Sequence, residues 1–185
     1  MEEVLFRRIG NNELAAIRVC KALADAQDEY FDQLHDGDTV HQYAQKFVSD
    51  EGKQNGLYWK TADGEPQSPI GPVFKYAANE GYSKSGDPFH GYYFRMLTAQ
   101  GRAAPGGAKS YVVDGKMTGG FAFVAYPAEY RNSGVMTFVV NLNGAIYEKD
   151  LGPKTADLVK AMTAINPDNT WRAVSYGTED EADDQ

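Results

Sequence analysis

Four side chains able to bind a metal or move a proton fall within seven residues: His35, Asp36, Asp38 and His41. Imidazole and carboxylate groups together suit a divalent cation. Two histidines placed six apart across a Gly37-containing turn, however, match no familiar ligand spacing. A solvated turn between two helices, with Asp38 capping the second, accounts for these residues better. A second grouping, Asp87-Pro88-Phe89-His90, sets a carboxylate near an imidazole and could serve as an acid–base pair. A histidine that opens an aromatic strand more often satisfies a buried hydrogen bond. Neither a serine nor a cysteine has an evident activating partner in the sequence. Cys20 falls on the apolar side of a helical pattern, which predicts a buried, inert thiol. The glycine-containing stretches 101–107 and 115–120 lack the Gly-Lys-Ser/Thr ending and the following helix of a phosphate-binding loop. The expectation is a chain without catalytic residues, metal or cofactor.

The rings are the remaining chemistry. Tyr58, Trp59, Tyr76, Tyr82, Tyr92 and Tyr93 could line a groove for a glycan or a peptide, because rigid amphipathic rings make good contacts. The narrower expectation for such a surface is Tyr58, Trp59, His90 and Tyr92. The competing reading, in which these rings pack a long loop onto a sheet, is the preferred one.

Several elements must position these groups. Residues 11–34 are predicted to form a long helix, capped by Asn11 or Asn12 with Glu13 in its first turn. Leu14, Ile17, Cys20, Ala24, Gln27, Phe31 and Leu34 recur at three- and four-residue steps and predict its buried face. Such a helix spans about 35 Å. His35-Asp36-Gly37-Asp38 ends it, and a shorter helix is predicted over residues 39–48, burying Val40, Tyr43, Ala44 and Phe47. Residues 51–72 read as a long Gly- and Pro-containing loop ordered by its own aromatics. A third helix is predicted from Pro72 to about residue 80. The period then changes. Residues 90–98, 120–126, 135–141 and 145–149 are short runs rich in Tyr, Phe and Val, bounded by Gly, Pro or Asn, and predict four antiparallel strands. Asn143-Gly144 marks a hairpin between the last two. A helix over residues 154–165 and a short strand over residues 171–175 complete the reading. The fold class is therefore α+β: a long N-terminal amphipathic helix packed on a four-stranded antiparallel sheet, with additional helices and a long ordered loop.

Bulk properties narrow the partners. The 185 residues fit one domain and carry a formal net charge of −8. Glu179-Asp180-Glu181-Ala182-Asp183-Asp184 supplies much of that charge, so the folded part is nearly balanced and its tail is expected to be disordered. With no basic stripe, nucleic acid is discounted as a partner. The single cysteine excludes an intrachain disulfide. No run approaches the ~18 apolar residues of a membrane span, and residues 1–10 have no apolar core of signal-peptide length.

Two segments resemble type IV pilins and pseudopilins. Asn12-Glu13-Leu14-Ala15-Ala16-Ile17, continued by Leu23, Ala26-Gln27 and Tyr30, is similar to the amphipathic half of the pilin helix. Gly91-Tyr92-Tyr93-Phe94, the stretch 121–127 ending in Pro127, Gly134-Val135-Met136-Thr137-Phe138 and Gly144-Ala145-Ile146 follow the order of the strands in pilin heads. A broader resemblance, over residues 12–171, is to the bacterial domain-of-unknown-function family 2950. It is carried by Gly56-Leu57-Tyr58-Trp59, Ser68-Pro69-Ile70-Gly71-Pro72, His90-Gly91-Tyr92-Tyr93-Phe94-Arg95, Ala104-Pro105-Gly106-Gly107-Ala108, Gly115-Lys116-Met117-Thr118-Gly119-Gly120-Phe121 and Tyr147-Glu148-Lys149-Asp150-Leu151-Gly152. That resemblance implies an exported bacterial protein, periplasmic or extracellular, and no assigned activity. One departure from the pilin pattern stands out: Glu2, Glu3, Arg7 and Arg8 occupy the place of the apolar filament-core segment. The expected organisation is a linker or remnant over 1–10, with any leader or anchor lying ahead of it, a single pilin-like domain over 11–176 and an acidic tail over 177–185. The expected role is non-enzymatic contact with other envelope proteins or with itself; the alternative is an exported glycan- or peptide-binding module.

Overall fold

The computed structural model describes residues 2–73 and 87–175. Tyr76, Tyr82, the helix expected beyond Val73 and the acidic tail lie outside them. Helix α1 (Glu2–Phe31) is 30 residues long, a rise of about 45 Å. It begins nine residues earlier than the cap residues suggest, so residues 2–10, expected to be a linker, are its first turns. Glu2 and Glu3 in the first turn complement the helix dipole. Asn12 and Glu13 do not cap it. The Asn12 amide donates to the Ser133 carbonyl at 2.8 Å, and the Glu13 carboxylate accepts the backbone N–H groups of Val135 and Met136 at 2.9 and 3.0 Å. One turn earlier, Arg8 donates to the Asn132 carbonyl at 2.9 Å. Three successive polar side chains thus fasten the helix to the 128–135 connection.

The buried stripe of α1 is Ala16, Cys20, Leu23, Ala24, Gln27 and Tyr30. Cys20, Ala24 and Gln27 were expected there; Leu14 is instead 55% exposed, and Leu34 lies beyond the helix and is also exposed. The stripe is rotated because three of its members are small, which lets the helix backbone approach the sheet where larger side chains would hold it off.

The sheet forms from β1 (Tyr92–Leu97), β6 (Ala122–Pro127), β7 (Met136–Asn141), β8 (Ile146–Asp150) and β9 (Arg172–Ala173), in the order β1-β6-β7-β8-β9 and antiparallel throughout. Between β1 and β6 lie two small ribbons, β2 (Ala99–Gln100) with β3 (Lys109–Ser110), and β4 (Val112–Val113) with β5 (Lys116–Met117). The sheet has five strands, not four. The short terminal segment, foreseen only as an isolated strand, pairs with β8 through Glu148↔Arg172 and Tyr147↔Ala173, and the Arg172 Nε–H donates to Glu148 at 2.7 Å. The hairpin at Asn143-Gly144 is present, but only Gly144 takes a positive φ, +70°. Its N–H bonds to the Asn141 carbonyl at 2.9 Å, closing a three-residue loop and not the two-residue turn the dipeptide suggests.

Helix α2 (Thr155–Ala161) packs on the face opposite α1. Arg95, on β1, reaches across to donate to the carbonyls of Val159 and Met162 at the C-terminal end of α2, where a cation meets the negative end of the helix dipole. Strands β6 and β7 are covered on both faces and are buried along nearly their whole length. This explains why they read as continuous apolar runs and not as alternating ones. Among the described residues, no helix is long and apolar enough to cross a membrane.

The helix expected over residues 39–48 is absent. Its backbone groups are committed elsewhere. Tyr43 N–H bonds to the Met117 carbonyl, while the Lys46 and Phe47 carbonyls receive the N–H groups of Leu57 and Tyr58. At Ala44 the buried Gln27 side chain acts as a surrogate peptide group: its Nε2 donates to the Ala44 carbonyl at 2.9 Å, and its Oε1 accepts the Ala44 N–H at 2.8 Å. Val40, expected in the core, is exposed. The loop 51–72, expected to be held by its own aromatics, is seated by the buried side chains of Leu57 and Ile70, with Tyr58 and Trp59 partly buried beside them. Gly56 is required there, because a Cβ would sit 2.8 Å from the backbone of Val48 and Ser49.

Replacing Gln27 by Ala strands two buried peptide groups and opens a void. The expected cost is about 2–4 kcal/mol, read as a lower urea midpoint with an unchanged m-value. An unchanged midpoint means the amide clamp does not hold the segment.

Candidate functional site

The C-terminal end of α1 gathers the residues with the most chemical potential. The helix stops at Phe31, and the chain turns through Asp36 and Gly37, both at positive φ. This brings His35 back over Tyr30, with ring centroids 3.8 Å apart and planes 16° from parallel. Trp59, delivered by the 51–72 loop, meets Tyr30 at 6.5 Å and 66° and His35 at 5.6 Å and 61°. Hydrogen bonds hold the loop in place. Tyr30 Oη donates to the Gln54 carbonyl at 2.7 Å, and the Gln54 N–H reaches both oxygens of Asp36 at 3.0 and 3.1 Å. His35 Nε2 lies 2.9 Å from the Tyr30 carbonyl, which receives its N–H, and Nδ1 lies 3.3 Å from Gln54 Oε1. Burial pushes the Tyr30 phenol up to about 12, with the nearby charges of Asp36 and Asp38 acting in the same direction.

Two clefts flank this ring cluster. One, of about 290 Å³, is lined by Tyr30, His35, Asp36, Tyr43 and Lys46. The other, of about 380 Å³, is lined by Tyr58, Trp59, Asp50, Lys53, Lys60 and Glu65.

The four residues first considered as metal ligands are each engaged by the protein. His35 is buried in the ring stack. Asp36 holds Gln54. His41 Nδ1 sits 2.6 Å from the Phe31 carbonyl. Asp38 caps no helix; its carboxylate accepts the N–H groups of Thr39 and Val40, the Gln42 amide and the Lys116 ammonium. The hydrogen bond from Lys116 is the main reason Asp38 is held below the usual carboxylate range. Among the described residues, no three His, Cys, Asp or Glu side chains converge as a metal site would require.

The four residues expected to share one ligand surface do not meet. Tyr58 and Trp59 line the larger cleft. Tyr92 is 0% exposed: its hydroxyl donates to the Met136 carbonyl at 2.8 Å, near Glu13, and burial drives its pKa strongly upward. Glu13 and Tyr30 are 17 residues apart on one helix, a separation of about 25 Å, so Tyr92 belongs to the opposite end of α1 from Trp59. His90 is half-buried in the turn before β1, at a φ of +47°, with its ring 4.4 Å from that of Phe89. Asp87 is exposed. Tyr93 packs against Tyr126 at 5.6 Å. Cys20 is buried, and burial pushes its thiol up to about 12, so it is protonated at neutral pH.

Sequence reasoning missed Tyr30 and Gln54 as partners of His35. A Tyr five residues before a His, with a Gly in the following turn, was the available signal for the stack. Nothing local announced the approach of Trp59.

A family model described as "Protein of unknown function (DUF2950)" matches residues 1–174. No curated protein and no solved structure matches the chain.

The depressed Asp38 carboxylate makes a prediction about pH. An unfolded aspartate titrates near ~3.9, and the folded one titrates lower, so the unfolded chain binds more protons between those values. Stability from Asp38 is therefore fully present above ~3.9 and is lost as pH falls through the folded value. The Asp38→Asn variant is expected to show a shallower fall of the urea midpoint across that acid window than the parent protein. Equal slopes overturn this assignment.

Proposed function

The chain belongs to the DUF2950 family, and we propose that it is a non-enzymatic, exported envelope protein with a pilin-like arrangement that acts through contacts of α1 with other proteins or with further copies of itself. One observation carries this reading. Before Arg8 and Ile9, where the helix is tied to the rest of the chain, Val4 and Phe6 stand 72% and 67% exposed. They are two positions apart, hence on opposite sides of the helix. A helical end that shows apolar side chains to water on both sides loses free energy by packing against another surface. The neighbouring charges, Arg7 with Glu3 at 2.6 Å, form an exposed pair that contributes little on its own.

The order of the elements supports the pilin-like reading: a long N-terminal helix laid across one face of an antiparallel sheet whose main strands follow one another in sequence. The charges Glu2, Glu3, Arg7 and Arg8 in its first two turns distinguish it from a filament-core helix. Localisation in the periplasm or outside the cell is part of the proposal and comes from the family resemblance.

The test is to recover the protein from separate membrane and soluble envelope fractions, sequence its N-terminus by mass spectrometry, and measure its assembly state. Export together with a higher-order species that is lost in the Val4→Glu/Phe6→Glu double variant is the expected result. A cytosolic protein, or one whose assembly is indifferent to that double variant, overturns the reading.

A further inference from the structure

We propose that the cleft floored by Tyr58 and Trp59 is a binding site for a neutral saccharide. The argument begins with preorganisation. The tilt of Trp59 is set by two steep ring contacts, to Tyr30 and His35, and those two rings are themselves stacked and hydrogen-bonded. The indole is therefore a rigid platform on which little side-chain freedom remains to be lost on binding. Its N–H makes no hydrogen bond among the described residues. The cleft, about 380 Å³, falls in the range of small-molecule sites.

The rim decides the chemical class. Asp50, Glu51 and Glu65 share the lining with Lys53 and Lys60. No single sign dominates, so a strongly charged ligand gains nothing by steering. Asp50 is occupied by Lys46 and Asn55, and Glu65 accepts the Ala62 N–H with one oxygen. Glu51, Lys53 and Lys60 have no ion-pair partner among the described residues. A flat apolar ring bordered by unspent donors and acceptors of both kinds matches a hydroxyl-rich ring: its C–H face lies on the indole and its hydroxyls bond the rim.

A peptide fits less well. The strand-like backbone beside the cleft is already used, because Ser49 N–H bonds to the Tyr58 carbonyl and Tyr58 N–H to the Phe47 carbonyl. That pairing takes one edge of each stretch out of reach of strand addition. Among the described residues Val48 is the one aliphatic side chain on the lining, and they form no deep apolar side-chain pocket there.

The chain has two tryptophans, so the Trp171→Phe variant makes Trp59 the sole indole reporter. Its fluorescence would be followed while titrating cellotriose, maltotriose and the N-acetylglucosamine trimer. The expected result is a saturable change with at least one of them. The affinity should fall at least about tenfold on Trp59→Ala, measured by calorimetry, and by less on Trp59→Phe, which keeps a ring. Should Trp59→Ala fail to fold, Lys60→Ala decides: a several-fold loss supports the site, and unchanged affinity overturns it. No response to any of the three sugars overturns the proposal, as does saturation by a pool of short neutral peptides in their place.

Discussion

A helix about 45 Å long lies on strands that run about 20 Å, and most of the architecture answers that mismatch. Only the middle of α1 can rest on β6 and β7. Its ends must find other cover or face water. At the C-terminal end the cover is the long segment from residue 39 to residue 73, docked through Gln27, Tyr30 and His35. Toward the N-terminal end, Arg8, Asn12 and Glu13 tie the helix to the 128–135 connection, and the turns before them project beyond it.

The close approach in the middle rests on residue size. Ala16, Cys20 and Ala24 put little volume between the helix axis and the sheet, so Phe123, Phe138 and Val140 fill the interface from the strand side. The far face is sealed by α2, positioned by Arg95. With both faces covered, β6 and β7 have no polar side to offer, and polar anchoring falls to the periphery: Glu13 at one end, Gln27 near the other. Gly134 belongs to the same logic, since a Cβ there would fall 2.2 Å from the Tyr92 hydroxyl. The buried phenol occupies the space that any side chain at 134 would take.

What the sequence revealed follows from how local each determinant is. The main strands were legible because Gly, Pro and Asn bound short aromatic and β-branched runs, a signal contained within each segment. The long helix was legible as an element, but its start was not. Asn12 and Glu13 are residue types that cap helices, and type alone does not distinguish an adjacent N–H from one belonging to Val135. Residues 39–48 carry a helical spacing of apolar groups, yet the backbone groups of Tyr43, Ala44, Lys46 and Phe47 pair with Met117, Gln27, Leu57 and Tyr58, all outside the segment. Trp59 was recognised as a ring of interest from its neighbour Tyr58. That its companions are Tyr30 and His35, and that Tyr92 lies about 25 Å away along the helix, are consequences of the turn at Asp36 and of the strand register.

The Gln27 clamp has a consequence for how this chain can vary. The amide addresses the peptide group of residue 44 and not its side chain, so this one point of docking asks only that the residue stay small, while Gly56, Leu57 and Ile70 are held to their identities by packing. Provided residue 44 stays small, exposed positions such as Glu51, Lys53 and Lys60 are free to drift while the segment keeps its seat on the helix. The fold thus separates a fixed scaffold from an adjustable surface, and the adjustable part is the one that carries the ring-lined clefts.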